Sequence, residues 1–302
     1  MKVAYNMKIN IDNKNNIWSV FLKFVYRLLK LQSRANFLLK VGIILLIFWI
    51  LVAIFANIIA PYDPISQNLE QRFERPSRVY WFGTDEFGRD ILSRTIIGSR
   101  LSILAGFLTV FIASIIGILF GGISGFAGGI VDDIMMRISE IFSSFPAIIL
   151  AMTITAALGP SLFNTLLALV IVVWPRYARL MRSLTISVKE NEYVEASKAL
   201  GASKIRILLK EILPNSAGTM IIMSSLDMGR IILVFSGLSF LGLGSPPPAP
   251  EWGMMVAQGM QNFNYWWIYT FPGLSILSIA MAANIVGDGI RDYLDPKIRK
   301  NF

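Results

Sequence analysis

The side chains that could carry chemistry in this sequence are few. The chain has no histidine and no cysteine, so the commonest general base and any thiol nucleophile are absent. Asp85 and Asp90 are paired carboxylates, but Arg89 and Arg94 stand beside them, and this proximity favours ion pairing over acid–base work. The residue types therefore argue against an enzyme. The surrounding stretch FGTDEFGRDILSR (82–94) is predicted to be a folded loop with tight turns at its glycines.

A second charged pair interrupts an apolar run. Asp227 and Arg230 lie three residues apart within Met220–Leu243, which places both on one face of a helix. Ionisable groups at membrane depth are costly and usually face a bundle interior or a water path. Two hypotheses stay equally open. The pair lines or gates a translocation path, or it is a structural ion pair that clamps helices together.

Long apolar segments must position these residues. Val41–Ala60 has twenty residues without a charge, enough at about 1.5 Å per residue to cross a hydrocarbon core of about 30 Å. Ile141–Trp174 exceeds thirty residues and breaks at Gly159–Pro160, so it predicts two spans. The remaining runs are Leu101–Ile130, Met220–Leu243 and Ile268–Val286. The sequence therefore predicts an all-α integral membrane protein with about six transmembrane helices.

Basic residues set the predicted orientation. Eight Lys/Arg lie in residues 1–40, eight in 176–215 and four in 291–302, so the positive-inside rule places these segments and both termini in the cytoplasm. The loops 61–98 and 244–264 are then extracytoplasmic, although six arginines in and just after the first loop do not fit the rule. Because the net charge of +9 follows this pattern, no nucleic-acid partner is expected.

The segment 1–40 precedes the first span, 41–60. An apolar core so far from the start is not typical of a cleavable signal peptide, so this span is expected to remain as an anchor. Residues 17–31 (IWSVFLKFVYRLLKL) have helical periodicity with a basic face. The pattern predicts an amphipathic helix lying on the cytoplasmic leaflet in contact with membrane lipid, with an ordinary packed helix as the alternative.

Smaller features refine the predicted bundle. Ala113, Gly117, Gly121 and Gly125 recur every four residues and predict a smooth helix face for close internal packing. Residues 128–137 are expected to form a short turn, and Pro146 a kink. Three arginines at a spacing of three are expected to snorkel from a helix that leaves lipid: Arg176, Arg179 and Arg182.

A charged stretch separates two of the spans. Residues 195–215 read EASKALGASKIRILLKEILPN. Glu190–Leu200 is predicted to form a helix that Gly201 ends with a positive φ. Ser203 can cap a second helix, Lys204–Leu213, which Pro214 would end. The second helix would carry an apolar stripe suited to docking in a groove of a partner: Ile205, Leu208, Leu209 and Ile212.

The spacing of this stretch resembles the EAA signature of ABC importer permeases. Glu195-Ala196-Ser197, then Gly201, then Leu213-Pro214 carry the resemblance. Four further segments are similar to the C-type permease subunit of oligopeptide, dipeptide and nickel importers. They are GTDEFGRDILSR (83–94), LSFLGLG (238–244), PPPAPEWG (246–253) and GDGIRDYLDPKIR (287–299).

The resemblance implies a type I ABC importer permease fold, with a core at 99–290, a coupling loop at 181–215 and a cytoplasmic tail at 291–302. In that family the loop docks on a cytoplasmic ATPase. The implied coupling residues are Glu195, Ala196, Ser197, Gly201, Ala202, Ile205, Leu208, Leu213 and Pro214. A basic helix that binds only anionic lipid is the alternative.

The resemblance also implies the partners. These are a homologous B-type permease, two ATPase subunits and an extracytoplasmic substrate-binding protein, in the inner or cytoplasmic membrane of a bacterium or archaeon. The chain has no G-x-x-x-x-G-K-[ST] run, so ATP and Mg would be bound by the ATPases, and this chain would hold no cofactor or metal. A stiff segment carrying Pro247, Glu251 and Trp252 is expected to contact the binding protein.

The implied cargo is a di- or oligopeptide, while nickel, another metal chelate and glutathione stay open. A secondary transporter or a channel would also need six apolar helices. Neither class needs a long loop with two helices joined at a glycine.

Overall fold

The structure is a computed structural model that describes residues 34–294. The amphipathic helix predicted at 17–31 and residues 295–302 of the predicted tail lie outside the described residues. The described chain is helical, with a short 3-10 turn at Leu69–Gln71 and a π turn at Leu208–Ile212. Its helices are α1 Arg34–Ile54, α2 Ala56–Ile59, α3 Ile91–Ala127, α4 Gly129–Ser143, α5 Ala147–Leu158, α6 Leu162–Lys189, α7 Glu192–Ala199, α8 Lys204–Ile207, α9 Leu213–Phe240, α10 Trp252–Gln261 and α11 Trp267–Leu294.

Five described helical segments are long and apolar enough to cross a membrane. They are α1, α3, α6, the continuous segment Lys204–Phe240 and α11. A sixth crossing is the pair α4 and α5, which passes the same test jointly but bends by 83° between its two helices. The predicted number of spans is therefore confirmed if the bent pair counts as one.

Contacts between helix ends define two ends of the bundle. Lys189 Nζ donates to Phe126 O over 3.2 Å, so α3 and α6 finish at the same end. At the opposite end, Thr165 Oγ1 near the start of α6 donates to Leu243 O just after α9. Because α3 finishes where α6 finishes, the bent pair must carry the chain from one end to the other. We call the end with Lys189 the elbow end and the other the loop end.

Both ends of the described chain lie at the elbow end. Leu39 and Ile43, early in α1, pack on Val286 and Tyr293 near the end of α11. At the loop end, Arg100 caps α1, since its Nε and Nη2 donate to the last carbonyls of that helix at 2.6 and 2.9 Å. The relative placement of the two ends of the described chain therefore agrees with six crossings.

The bent pair corrects two predictions. The segment 128–137 is not a turn, because α4 begins at Gly129 and continues to Ser143. The third predicted span, the part of Ile141–Trp174 that precedes Gly159, is not one kinked helix. It breaks near Pro146, the N-cap residue of the twelve-residue helix α5, because proline restricts the residue before it and removes a donor. The predicted kink is present, but it separates two helices.

Small residues on α3 allow the close approach of α6. A Cβ on Gly117 would lie 2.3 Å from Tyr177 Cβ, and one on Gly121 would lie 2.1 Å from the carbonyl oxygen of Ala178. A Cβ on Gly125 would likewise lie 2.8 Å from Arg182 O. The predicted stripe for internal packing is confirmed.

The loop before α3 folds around one buried carboxylate. Asp85 accepts from the backbone N–H of Phe87 and Arg89, and from Arg89 Nε at 2.7 Å. Arg94 Nε lies 3.7 Å from the same carboxylate, so the predicted ion pairing of Asp85 is confirmed. Asp90 instead caps α3, accepting from Ser93 N and Oγ. The prediction that Asp90 forms an ion pair is therefore wrong.

Candidate functional site

The segment Glu192–Ile212, which we call the elbow, projects from the elbow end. Its first helix, α7, finishes in a Schellman motif: Gly201 N donates to Lys198 O at 2.9 Å, and Ala202 N donates to Ser197 O at 3.0 Å. Gly201 has φ +81°, a conformation that side-chain-bearing residues rarely adopt. The predicted role of this glycine in ending the helix is confirmed.

The second arm of the elbow runs without a break into α9. Ser203 caps α8 by accepting from Arg206 N at 3.3 Å, as predicted. Pro214 does not end the helix; it lies in the first turn of α9, directly after the π turn. A π turn redistributes the backbone bonds, and Asn215 Nδ2 donates to Glu211 O at 2.5 Å. The second arm of the elbow and α9 therefore form one 37-residue helical segment, Lys204–Phe240.

One side of the elbow is anchored in the core. Val194, Ile207 and Ile212 are buried in a cluster that includes Tyr177 and Met181 of α6. Ala202, Leu208 and Leu213 pack partly against the same cluster. The predicted stripe is thus divided, because Ile212 points inward and Leu208 is half-buried. Anchoring on both arms holds the angle at Gly201.

The other side of the elbow exposes large apolar side chains to the surroundings. Leu200 is 89% exposed and Ile205 is 71% exposed. Tyr193 and Leu209 are also exposed, and we call these four side chains the elbow patch. Glu195, Ala196, Gly201 and Pro214 are exposed too, and Ser197 is half-buried. Exposed apolar groups on an anchored segment are typical of a docking surface.

A charged pair joins the middle of α6 to the middle of α9. Arg176 Nη1 donates to the buried Asp227 Oδ1 at 2.6 Å, whereas Arg230 Nη1 lies 3.7 Å from the same oxygen. The predicted pair of Asp227 and Arg230 therefore exists, but the shorter partner of Asp227 comes from another helix. The snorkelling of Arg176 stays a prediction.

The other two arginines of α6 also bond within the protein. Arg182 Nε and Nη2 reach the two oxygens of Asp132 at 2.6 and 2.5 Å, and Ser124 also donates to Asp132. Arg179 Nη1 donates to Ser143 Oγ at 2.6 Å. These contacts tie α6 to α4, and the predicted snorkelling of these two residues stays a prediction.

Glu251 and Trp252 lie inside the loop end. The Glu251 carboxylate caps α10 by accepting from Gly253 N and Met254 N, each at 3.0 Å. Burial raises the pKa of Glu251 above its usual value, although these donors oppose the rise. Trp252 Nε1 donates to Thr95 O at 2.8 Å. Both side chains are fully buried, so neither can contact a binding protein directly in this conformation; Pro247 is exposed.

The partnerships of Asp227 and Asp132 were missed by the sequence reasoning. Each acid lies in a helix other than the one that supplies its closest arginine, so no local spacing reports the contact. The number of charged residues in the apolar runs does contain a signal for these contacts. Three arginines within one helix need counter-charges on neighbouring helices, and few acids are available in the neighbouring apolar runs.

The described helices, with five candidate spans and a bent pair that counts as a sixth, define a multi-pass membrane protein. Residues 117–300 match the family of binding-protein-dependent transport system inner membrane components. Residues 33–76 match the N-terminal transmembrane domain of oligopeptide transport permease C. The chain belongs to the family of binding-protein-dependent transport system inner membrane components.

Similar proteins cover most of the chain. A probable D,D-dipeptide transport system permease protein of Escherichia coli (strain K12) is 46% identical over 256 residues, covering 84% of this chain and 86% of the relative. An oligopeptide transport system permease protein of Bacillus subtilis (strain 168) is 40% identical over 271 residues and covers 89% of both chains.

A solved structure has the same fold. The inward-facing MetNI methionine ABC transporter includes a chain that superposes with a TM-score of 0.54 at 17% identity. The superposition covers 68% of this chain and 98% of the other. At this identity the likeness supports the fold, an ABC importer permease fold, and nothing finer.

Proposed function

We propose that this chain is the C-type permease subunit of an ATP-driven importer of peptides. It forms one half of a translocation path, and a homologous B-type permease forms the other half. The names of the similar proteins, which include dipeptide and oligopeptide permeases, support peptides as the cargo. Nickel, another metal chelate and glutathione remain the alternative cargoes for the same machinery.

The elbow end faces the cytoplasm in this proposal. The basic residues in 176–215 support the orientation through the positive-inside rule. The arginines that did not fit the rule are partly explained, because Arg89 and Arg94 are buried beside Asp85. The chain then has both termini in the cytoplasm and residues 61–90 outside, in the inner or cytoplasmic membrane of a bacterium or archaeon.

The elbow patch docks in a cleft of a cytoplasmic ATPase. The observation that carries this assignment is the combination of a fixed angle at Gly201 with exposed Leu200 and Ile205. Because the second arm is continuous with α9, a force on Ile205 and Leu209 of the patch reaches Asp227 through one helical segment. A lipid-binding helix would need no such rigid connection.

ATP hydrolysis belongs to the partner subunits. Two ATPases bind ATP and Mg, and this chain is not an enzyme and holds no cofactor or metal of its own. A substrate-binding protein delivers the cargo at the loop end, and exposed Pro247 is available for that contact. Asp227 and Arg230, with Arg176, line the translocation path between the two permeases.

A reconstituted importer tests the coupling proposal. Leu200→Ser removes the most exposed side chain of the elbow patch. We expect the two ATPases to co-purify with this variant at least tenfold less well than with the wild type, because buried apolar anchors dominate interface energies. ATP-driven peptide uptake into proteoliposomes should fall in parallel.

Ile130→Ser is the matched control, since Ile130 at the start of α4 is 77% exposed at the same end but lies outside the elbow. It should leave ATPase binding unchanged. Unchanged ATPase binding by Leu200→Ser, or equal losses in both variants, would contradict the docking surface. Uptake driven by an ion gradient without ATP would support a secondary transporter, and passive uptake would support a channel.

A further inference from the structure

Two guanidinium groups are half-exposed in the middle of helices that cross the bundle. The side chains of Arg176 and Arg230 are 50% and 54% exposed. Arg176 lies 14 residues after the start of α6 and 13 before its end, about 20 Å from each. Asp227 occupies the same position in α9. The pair therefore lies near the centre of both crossing helices.

The positive charge at this place is not fully neutralised. One carboxylate, Asp227, serves both Arg176 and Arg230. Asp227 is itself buried, so it holds the guanidinium groups from behind while they face outward. The three groups carry a net charge of +1.

A third cation extends the site by one helical turn. Arg179 follows Arg176 at a spacing of three and is exposed. Among the described residues it forms no ion pair, and its Nη1 bonds only to the hydroxyls of Ser143 at 2.6 Å and Ser139 at 3.4 Å. Arg179 also lines a cleft of about 500 Å³ between α4 and α6. The cleft also contains Asp133 and Glu140, but its other two arginines, Arg137 and Arg182, are ion-paired, so Arg179 is the cation of the cleft without a carboxylate partner among the described residues.

Lipid is an unsuitable neighbour for these groups. A guanidinium facing hydrocarbon at mid-depth is costly, so such a group turns to water, to protein or to an anion. Paired arginines present forked donors that match the geometry of a carboxylate. A peptide with a free C-terminus carries such a carboxylate.

We propose that Arg176, Arg179 and Arg230 form a carboxylate-binding site for the C-terminus of the cargo within the translocation path. The inference rests on the proposed function, and it adds a recognised chemical group and one residue, Arg179, to the path. Asp227 limits the affinity by sharing the charge, since a transport site must release what it binds. Arg179 offers the next position along the route to the elbow end.

Paired peptides test the site in proteoliposomes containing the full importer. Uptake of a tripeptide with a free C-terminus is compared with uptake of its C-terminal amide. In the wild type the free acid should be favoured beyond the preference of the binding protein, measured separately. Arg179→Gln should reduce the acid-to-amide ratio by roughly tenfold, which is the effect of losing one hydrogen bond to a charged group. Arg230→Gln should reduce the ratio similarly, and it leaves the buried Asp227 paired with Arg176.

The ratio separates recognition from folding, because the binding protein's own preference is common to all variants and cancels. Arg291→Gln is the control, since Arg291 is an exposed cation in the last turn of α11, away from the cluster. It should leave the ratio unchanged. Equal losses for acid and amide in Arg179→Gln would overturn the site and leave a structural role.

A lipid headgroup is the other anion that the cluster could bind. If uptake by the wild type, but not by Arg179→Gln, rises with the share of anionic lipid while the ratio stays the same, the carboxylate site is overturned. Wild-type ATP-driven uptake of both peptides with no preference beyond the binding protein's would also overturn it. That result would leave the proposed function intact, whereas loss of ATP-dependence in the wild type would refute the function itself.

Discussion

Arg176 Nη1 donates to Asp227 Oδ1 over 2.6 Å and so connects the midpoints of α6 and α9. The acid is buried, while the arginine is half-exposed. Two roles follow from this arrangement: the bond clamps the two helices, and it presents a cation to the path. The two roles differ in what happens when both charges are removed together.

The clamp is tested by a double-mutant cycle on the free energy of unfolding, measured by thermal denaturation in detergent. Arg176→Ala leaves Asp227 with the longer contact to Arg230, at 3.7 Å, as its ion pair among the described residues, so it should destabilise the protein. The double variant Arg176→Ala with Asp227→Ala should lose less than the sum of the single losses. We expect a coupling energy in the range of about 0.5 to 3 kcal/mol, towards the lower end because Arg176 is half-exposed. Additive losses would contradict the clamp.

Uptake measurements on the double variant test whether the pair of Arg176 and Asp227 also lines the translocation path. If the pair only clamps helices, uptake should follow the residual stability. If it also lines the path, uptake should stay low even at temperatures where the variant is fully folded and binds its ATPases normally. Normal uptake with normal assembly would exclude a role in gating.

The packing of α3 on α6 predicts opposite effects for two glycine substitutions. Gly121→Ala should destabilise the protein by about 1–3 kcal/mol, because its Cβ would lie 2.1 Å from a backbone oxygen. Gly218→Ala in α9 meets nothing within 4 Å and should be neutral or stabilising by about 0.5–1 kcal/mol. Thermal denaturation of both variants checks the pair, and a harmless Gly121→Ala would contradict the close approach of α3 and α6.

These elements differ in how far the sequence predicts them. The stripe that contains Gly117 and Gly121 can be predicted from the sequence because its spacing matches the helix repeat. The prediction does not require knowing which helix packs against it. The positive φ of Gly201 can also be predicted, because it depends on the residues of the local turn. The continuity of the helix through Pro214 cannot be predicted from the sequence, because proline usually ends a helix and the compensating π turn has no recognisable sequence pattern.

The contacts of Asp227 and Glu251 lie beyond local reasoning for a different reason. Glu251 stands in a proline-rich stretch that reads as an exposed loop, yet it caps α10 inside the loop end. Long-range packing decides its burial, and the single sequence carries no information about which loops pack together. For this reason the predicted direct contact of Glu251 and Trp252 with a binding protein is wrong.

The burial of Glu251 predicts a specific dependence of stability on pH. Its pKa in the folded protein is raised above the usual 4.5, so folding favours the protonated carboxyl. The contribution of Glu251 to the free energy of unfolding is therefore most favourable below pH 4.5. It is lost as the pH rises through the pKa that Glu251 has in the folded protein. Glu251→Gln keeps an acceptor for the α10 cap but removes the titration. The difference in unfolding free energy between variant and wild type should therefore change across that window, and a pH-independent difference would contradict the burial.

The angle at Gly201 provides a test that separates strain from docking. Gly201 and Gly242 both have φ +81° and open space where a Cβ would lie, so alanine at either position should cost a similar amount, about 1 kcal/mol. Only Gly201 lies in the elbow, where relief of that strain would open the Schellman motif and displace Leu200. We therefore expect the two variants to have similar thermal stability, while Gly201→Ala alone loses ATPase binding and ATP-driven uptake. Both quantities are measured on the same purified preparations. If Gly242→Ala impairs ATPase binding as strongly, general destabilisation explains the loss, and the fixed angle at Gly201 has no special part in coupling.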